Sequence, residues 1–133
     1  MAVAGSVVQS RRRSYDGIAV KIDWTANAAG AVTEVGTFTG NGYLVEVMYE
    51  PGTADNLYDV TLLDSGSKDV LRGLGANQPN AAGNTYDTKY RSNIRDVDGS
   101  YFFFINEPLT PTIANGGNLG TGSITFKFSR NQP

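Results

Sequence analysis

The feature that most limits how this chain can fold is a repeated alternation of large apolar and polar residues at a period of two. Ile18, Val20, Ile22 and Trp24 alternate with Ala19, Lys21 and Asp23, and Ile124, Phe126 and Phe128 alternate with Thr125, Lys127 and Ser129. Successive side chains of an extended chain go to opposite faces, so each run predicts a strand with one face buried. Tyr43, Val45, Val47 and Tyr49 alternate with Leu44, Glu46 and Met48, and the position of Glu46 predicts that the tyrosine and valine face is the inner one. Leu57 to Asp64 reads as another strand, with Tyr58, Val60 and Leu62 on one side.

Turn residues punctuate these runs. Asn27 to Gly30 precede a β-branched stretch, Ala31 to Phe38, and Gly40, Asn41 and Gly42 then predict a hairpin into the Tyr43 strand, because these residues tolerate positive φ. Pro51 and Gly52 end that strand, and Ser65, Gly66 and Ser67 end the next. Val70 and Leu71, closed by Gly73 and Gly75, read as a short second arm. The Gly, Asn and Pro content of residues 75–88 and 108–122 predicts two long connections, the first a contact loop. Residues 89–97 carry a weak strand signal, whereas Tyr101 to Ile105 is a continuous apolar run that predicts a strand covered on both faces.

About six to eight short strands, with no sustained helical period to supply a parallel crossover, point to an all-β sandwich, most simply a jelly roll. At 133 residues the chain is one domain, and that size buries about 65–70% of its unfolded surface. The predicted sandwich occupies residues 17–133. Residues 1–16 are small, polar and basic, with Arg11, Arg12 and Arg13 in succession and neither period, so they are expected to form an extended, irregular N-terminal arm.

Composition narrows the function classes. The chain has no cysteine, which removes disulfides, thiolate ligands and a cysteine nucleophile, and no histidine, which removes the commonest general base and zinc ligand. A formal charge of −2 gives the whole chain no reason to seek nucleic acid or a membrane surface. No apolar run approaches the length of a membrane-spanning helix, and the apolar start, Met1 to Val8, precedes its charges where a secretion signal would follow them.

The remaining candidates for chemistry have structural explanations. Asp59, Asp64, Asp69, Asp87, Asp96 and Asp98 fall mostly at strand ends, where aspartate accepts backbone hydrogen bonds in turns. Asp96, Asp98 and Gly99 resemble the start of a calcium loop but lack a third ligand and a closing glutamate. The glycines from Gly116 to Gly122 do not stand between a strand and a helix, as a phosphate cradle requires, and Tyr86 and Tyr90 are too few for a sugar platform. No enzyme activity, cofactor or metal is expected. The arginine triplet is best suited to an acidic protein surface, since nucleic-acid binding would need a broader basic face.

Two stretches resemble the head decoration, or cement, proteins of tailed bacteriophages: Tyr58 to Asp64 followed by Asp69 to Gly73, and Gly120 to Phe128. The resemblance covers residues 17–130 and rests on short strand-and-turn patterns. It implies a jelly-roll or sandwich domain that assembles as a homotrimer on the capsid exterior and contacts the major capsid protein across adjacent capsomers. It would make Arg11, Arg12, Arg13 and Tyr15 part of a docking arm. Because one fold serves many functions, a carbohydrate-binding or host-adhesion module of a tail or fibre is the alternative, and a carboxylate-based hydrolase a third.

Overall fold

The alternating runs pair with one another to satisfy their backbone groups. A computed structural model describes residues 6–14, 17–32, 37–78, 80, 90–93 and 104–130. It is all-β, with two antiparallel sheets and no helix among the described residues. The larger sheet holds β1 (Ser6–Ser14), β2 (Gly17–Thr25), β4 (Gly42–Pro51), β6 (Tyr90–Asn93), β7 (Phe104–Ile105) and β9 (Thr121–Ser129). Its order is β1-β2-β9-β4-β6, with β7 also pairing β4. The smaller sheet has the order β3-β8-β5, from β3 (Phe38–Thr39), β5 (Asp59–Leu63) and β8 (Pro108–Ala114).

The two sheets share one core, as a sandwich requires. From the larger sheet come Val20, Ile22 and Trp24 of β2, Ile124, Phe126 and Phe128 of β9, and Leu44, Val47 and Tyr49 of β4. From the smaller come Phe38, Val60, Leu62, Leu109 and Ile113. The Phe38 ring lies 5.6 Å from that of Phe126 and 6.2 Å from that of Phe128, while Trp24 lies 5.5 Å from Tyr58. Rings of one layer therefore meet rings of the other at separations where aromatic pairs contribute about 0.5–1.5 kcal/mol beyond area burial.

Four expectations are corrected. The register of β4 against β9 slips between Leu44 and Glu46, so Val45 is an extra residue in the strand. A bulge of this kind reverses the alternation. Leu44, Val47 and Tyr49 are buried, whereas Tyr43 and Val45, expected on the inner face, are half-buried. The hairpin expected at Gly40–Gly42 does not form, because β3 pairs β8 while β4 pairs β9, so these residues carry the chain from one sheet to the other. Gly42 is needed there for another reason. Its φ is 134°, and a Cβ would stand 2.5 Å from the Ser129 carbonyl oxygen.

The expected connection over 108–122 begins instead with β8, whose Leu109, Pro111 and Ile113 are buried and whose Thr110 and Thr112 are half-buried. Pro111 stands opposite Leu62 of β5, and β3 reaches only Pro108 and Leu109, so no strand of the ladder requires an N–H from Pro111 on the β3 side. The irregular arm expected over 1–16 is a strand over its central part. Ser6–Ser14 pairs with β2 at every residue, from Ser6 opposite Thr25 to Ser14 opposite Gly17. Tyr15, with residues 1–5 and 16, lies outside the described residues.

Other expectations are met in part. Val32 bridges Ile113, and Phe38 opens β3, but residues 33–36 lie outside the described residues. Val70 and Leu71 make turns, with Leu63 bridging Asp69, in place of a regular second arm. Within 89–97 and 101–105, β6 and β7 are strands and the rest lies outside the described residues.

Candidate functional site

Most sheet edges in this fold are short or closed. The outer side of β5 is covered by residues 69–78, which rise beside it without forming a strand. Val60 N donates to Gly75 O at 2.8 Å, Val70 N to Leu62 O at 2.8 Å, Leu62 N to Asp69 Oδ1 at 3.0 Å, and Gln78 N to Tyr58 O at 2.7 Å. Gln78 is held in place by its own side chain, which is 6% exposed and donates from Nε2 to Leu74 O at 3.0 Å. β3 and β7 have two residues each and β6 has four. β1, by contrast, is nine residues long and stands at the end of the sheet order, with no strand beyond it among the described residues.

This open edge carries the arginine triplet. Register places Arg11 opposite Val20, Arg12 opposite Ala19 and Arg13 opposite Ile18, so no carboxylate stands directly across from any of the three. The next residue along the Arg12 row, beyond Ala19, is Lys127, which is engaged with Glu46 at 3.2 Å. Lys21, opposite Ser10, pairs with Asp23 at 3.6 Å, both about half-exposed. The lysines that flank the triplet are thus themselves paired with carboxylates. Such an edge has two binding resources, a row of main-chain groups and a fixed row of cationic positions.

The other sequence candidates are placed differently. Asp59 Oδ1 accepts from Asn77 N at 2.8 Å, Asp64 Oδ1 accepts from Gly66 N and Lys68 N at 2.9 Å, and Asp69 accepts from three backbone N–H groups. All three act as turn and loop caps, as expected of aspartates at strand ends. Asp87, Asp96, Asp98, Gly99 and Tyr86 lie outside the described residues, and Tyr90 begins β6. Among the described residues no group of three or more acidic side chains is placed to hold a metal ion. Among the described residues no helix is long and apolar enough to cross a membrane.

The glycine-rich segment 116–122, which leads from β8 into the first residues of β9, is built into the end of the fold. Gly116 N donates to Gly30 O at 2.7 Å, Asp55 N to Gly116 O at 3.0 Å, and Leu119 N to Asn27 O at 3.1 Å. The glycines permit close backbone approach: a Cβ on Gly120 would stand 1.9 Å from Gly116 O.

Sequence reasoning found the arginines but missed the strand that carries them. The available signal was Val7 and Val8, a β-branched pair immediately before Gln9 and Ser10. No protein-family model, curated protein or solved structure matches this chain.

Proposed function

We propose that this protein is a structural virion component, a jelly-roll-like domain that binds the outside of a bacteriophage capsid as a trimer and clamps adjacent capsomers. The observation that carries the docking role is the edge of β1, nine residues with no strand beyond them among the described residues, whose Arg11, Arg12 and Arg13 stand opposite no carboxylate. The likeness of Tyr58–Asp64, Asp69–Gly73 and Gly120–Phe128 to decoration proteins supports the capsid as partner. Those stretches supply core residues and the Asp69 cap, so they bear on the fold, and the contact falls to β1. A trimer binds through several such edges, and the effective concentration of the second and third raises residence time well beyond that of one.

Serine substitution is a cleaner test than deletion, because removing β1 would bare the edge of β2. The variant R11S/R12S/R13S should keep its mass and urea midpoint, yet lose at least about tenfold in affinity for undecorated heads in a sedimentation assay, roughly 1.4 kcal/mol. Wild-type affinity should fall as salt rises, since the contact is electrostatic and exposed. Equal binding by the variant would remove the triplet from the docking role. Binding of the wild type to glycans or host cells and not to heads would favour the adhesion module.

A further inference from the structure

We infer that the edge of β1 pairs with β1 of a second copy of this chain, antiparallel, with Ser10 opposite Ser10 across a two-fold axis. A long strand with no strand beyond it among the described residues is a template for another strand, and residues 69–78 close the equivalent edge of β5. What selects the occupant is the arrangement of charge along the strand. Ser6, Val7, Val8, Gln9 and Ser10 are uncharged, and Arg11, Arg12 and Arg13 lie in the other half.

Like charges directly opposite one another destabilise a strand pair. Parallel in-register pairing would set each arginine against its own copy. Antiparallel pairing centred on Arg11 or Arg12 would also oppose arginines at its centre. Centring on Ser10 engages all nine residues and opposes none: Arg11 meets Gln9, Arg12 meets Val8, Arg13 meets Val7 and Ser14 meets Ser6. The closest like pair left is the diagonal between the two Arg11 residues, at about 7–8 Å. The triplet thus disfavours the registers centred within it, and of the antiparallel registers that oppose no arginines the one centred on Ser10 uses the whole strand.

The two-fold contact uses main-chain groups, whereas capsid docking uses guanidinium charge, so the inference does not rest on the capsid reading. It is also distinct from the threefold contact of a trimer; where both form, the β1 pair links one trimer to the next. The two readings differ in sign with salt. Docking on an acidic surface weakens as ionic strength rises, while β1 pairing strengthens as the Arg11 diagonal is screened.

The chain has no cysteine, so single replacements give an unambiguous report. Ser10→Cys, labelled with pyrene maleimide, should show excimer emission that grows with protein concentration and with salt. Unlabelled, it should form a disulfide dimer under mild oxidation roughly tenfold or more faster than Ser6→Cys or Ser14→Cys, because pairing raises the local thiol concentration. Ser6→Cys mixed with Ser14→Cys should cross-link, whereas neither should do so by itself. A urea midpoint equal to wild type for each variant keeps a misfolded protein from mimicking either result. Absence of both excimer and preferential cross-linking at the highest soluble concentration overturns the inference, and a three-copy mass with that result leaves the trimer reading standing. Efficient Ser10 cross-linking without head binding supports the pairing and sinks the capsid reading.

Discussion

Replacing Asp69 separates a structural carboxylate from a functional one, and the geometry sets the size of the effect. Its Oδ1 accepts from Leu62 N at 3.0 Å and from Leu71 N at 3.0 Å, both part-buried, while Oδ2 accepts from Gly73 N at 3.0 Å in an exposed position. Asp69→Ala removes all three acceptors. Leaving a buried N–H unpaired costs about 1–3 kcal/mol, and water reaches these two only in part, so the loss should be about 2–4 kcal/mol. Asp69→Asn can keep its carbonyl oxygen at the Oδ1 position and retain the two part-buried bonds. It loses the exposed bond and the charge assistance on the others, for a cost of about 1 kcal/mol. Urea unfolding followed by tryptophan fluorescence measures both, since Trp24 is in the core. Amide exchange at Leu62 and Leu71 should accelerate in the alanine variant and stay near wild type in the asparagine variant. Equal destabilisation by the two replacements, or a loss under about 0.5 kcal/mol for alanine, would refute the cap.

Leu119 is 61% exposed and holds φ at 56°, a left-handed conformation that asparagine tolerates better than leucine. Leu119→Asn should therefore raise the urea-derived stability by about 0.5–1 kcal/mol; a loss of stability would mean that this leucine packs against something. Phe126→Ala removes the ring that meets Phe38 at the centre of the two layers, and calorimetry should show a loss of about 3–5 kcal/mol. A loss under about 1.5 kcal/mol would mean that the sheets close over the gap more easily than their aromatic contacts imply.

What the sequence discloses depends on whether burial acts residue by residue. In β2, β5 and β9 one face is covered along the strand, so every second residue must be apolar, and Val20, Ile22, Val60, Leu62, Ile124, Phe126 and Phe128 show it directly. In β4 the rule holds locally but Val45 adds a residue, so the expected tyrosine and valine face is the inner one after the bulge, at Val47 and Tyr49, and the wrong one before it, at Tyr43 and Val45. Leu44 and Val47 are both buried although they are three residues apart. In β8 the prolines conceal the strand, because a proline is excluded only where a ladder bond needs its N–H. β1 escapes the pattern for a different reason. At the rim of a sheet, positions opposite Ile22, Val20 and Ile18 are held by Gln9, Arg11 and Arg13, so strand pairing survives without apolar alternation.

That last point changes what the arginine triplet can do. In a flexible arm, residues 6–14 would order only on docking, at about 1–2 kcal/mol per residue of backbone entropy. In β1 that ordering is already part of the fold, so a partner meets a rigid row and the free energy of contact goes into affinity. The strand also divides the triplet. Successive positions alternate between faces at about 3.4 Å per residue, so Arg11 and Arg13 fall on one face, about 7 Å apart, and Arg12 falls on the other. A single flat surface lying against one side of the sheet would meet at most two of the three. Engaging all of them requires contact on both faces of the sheet at β1, so the proposed docking would need two surfaces, one against each face.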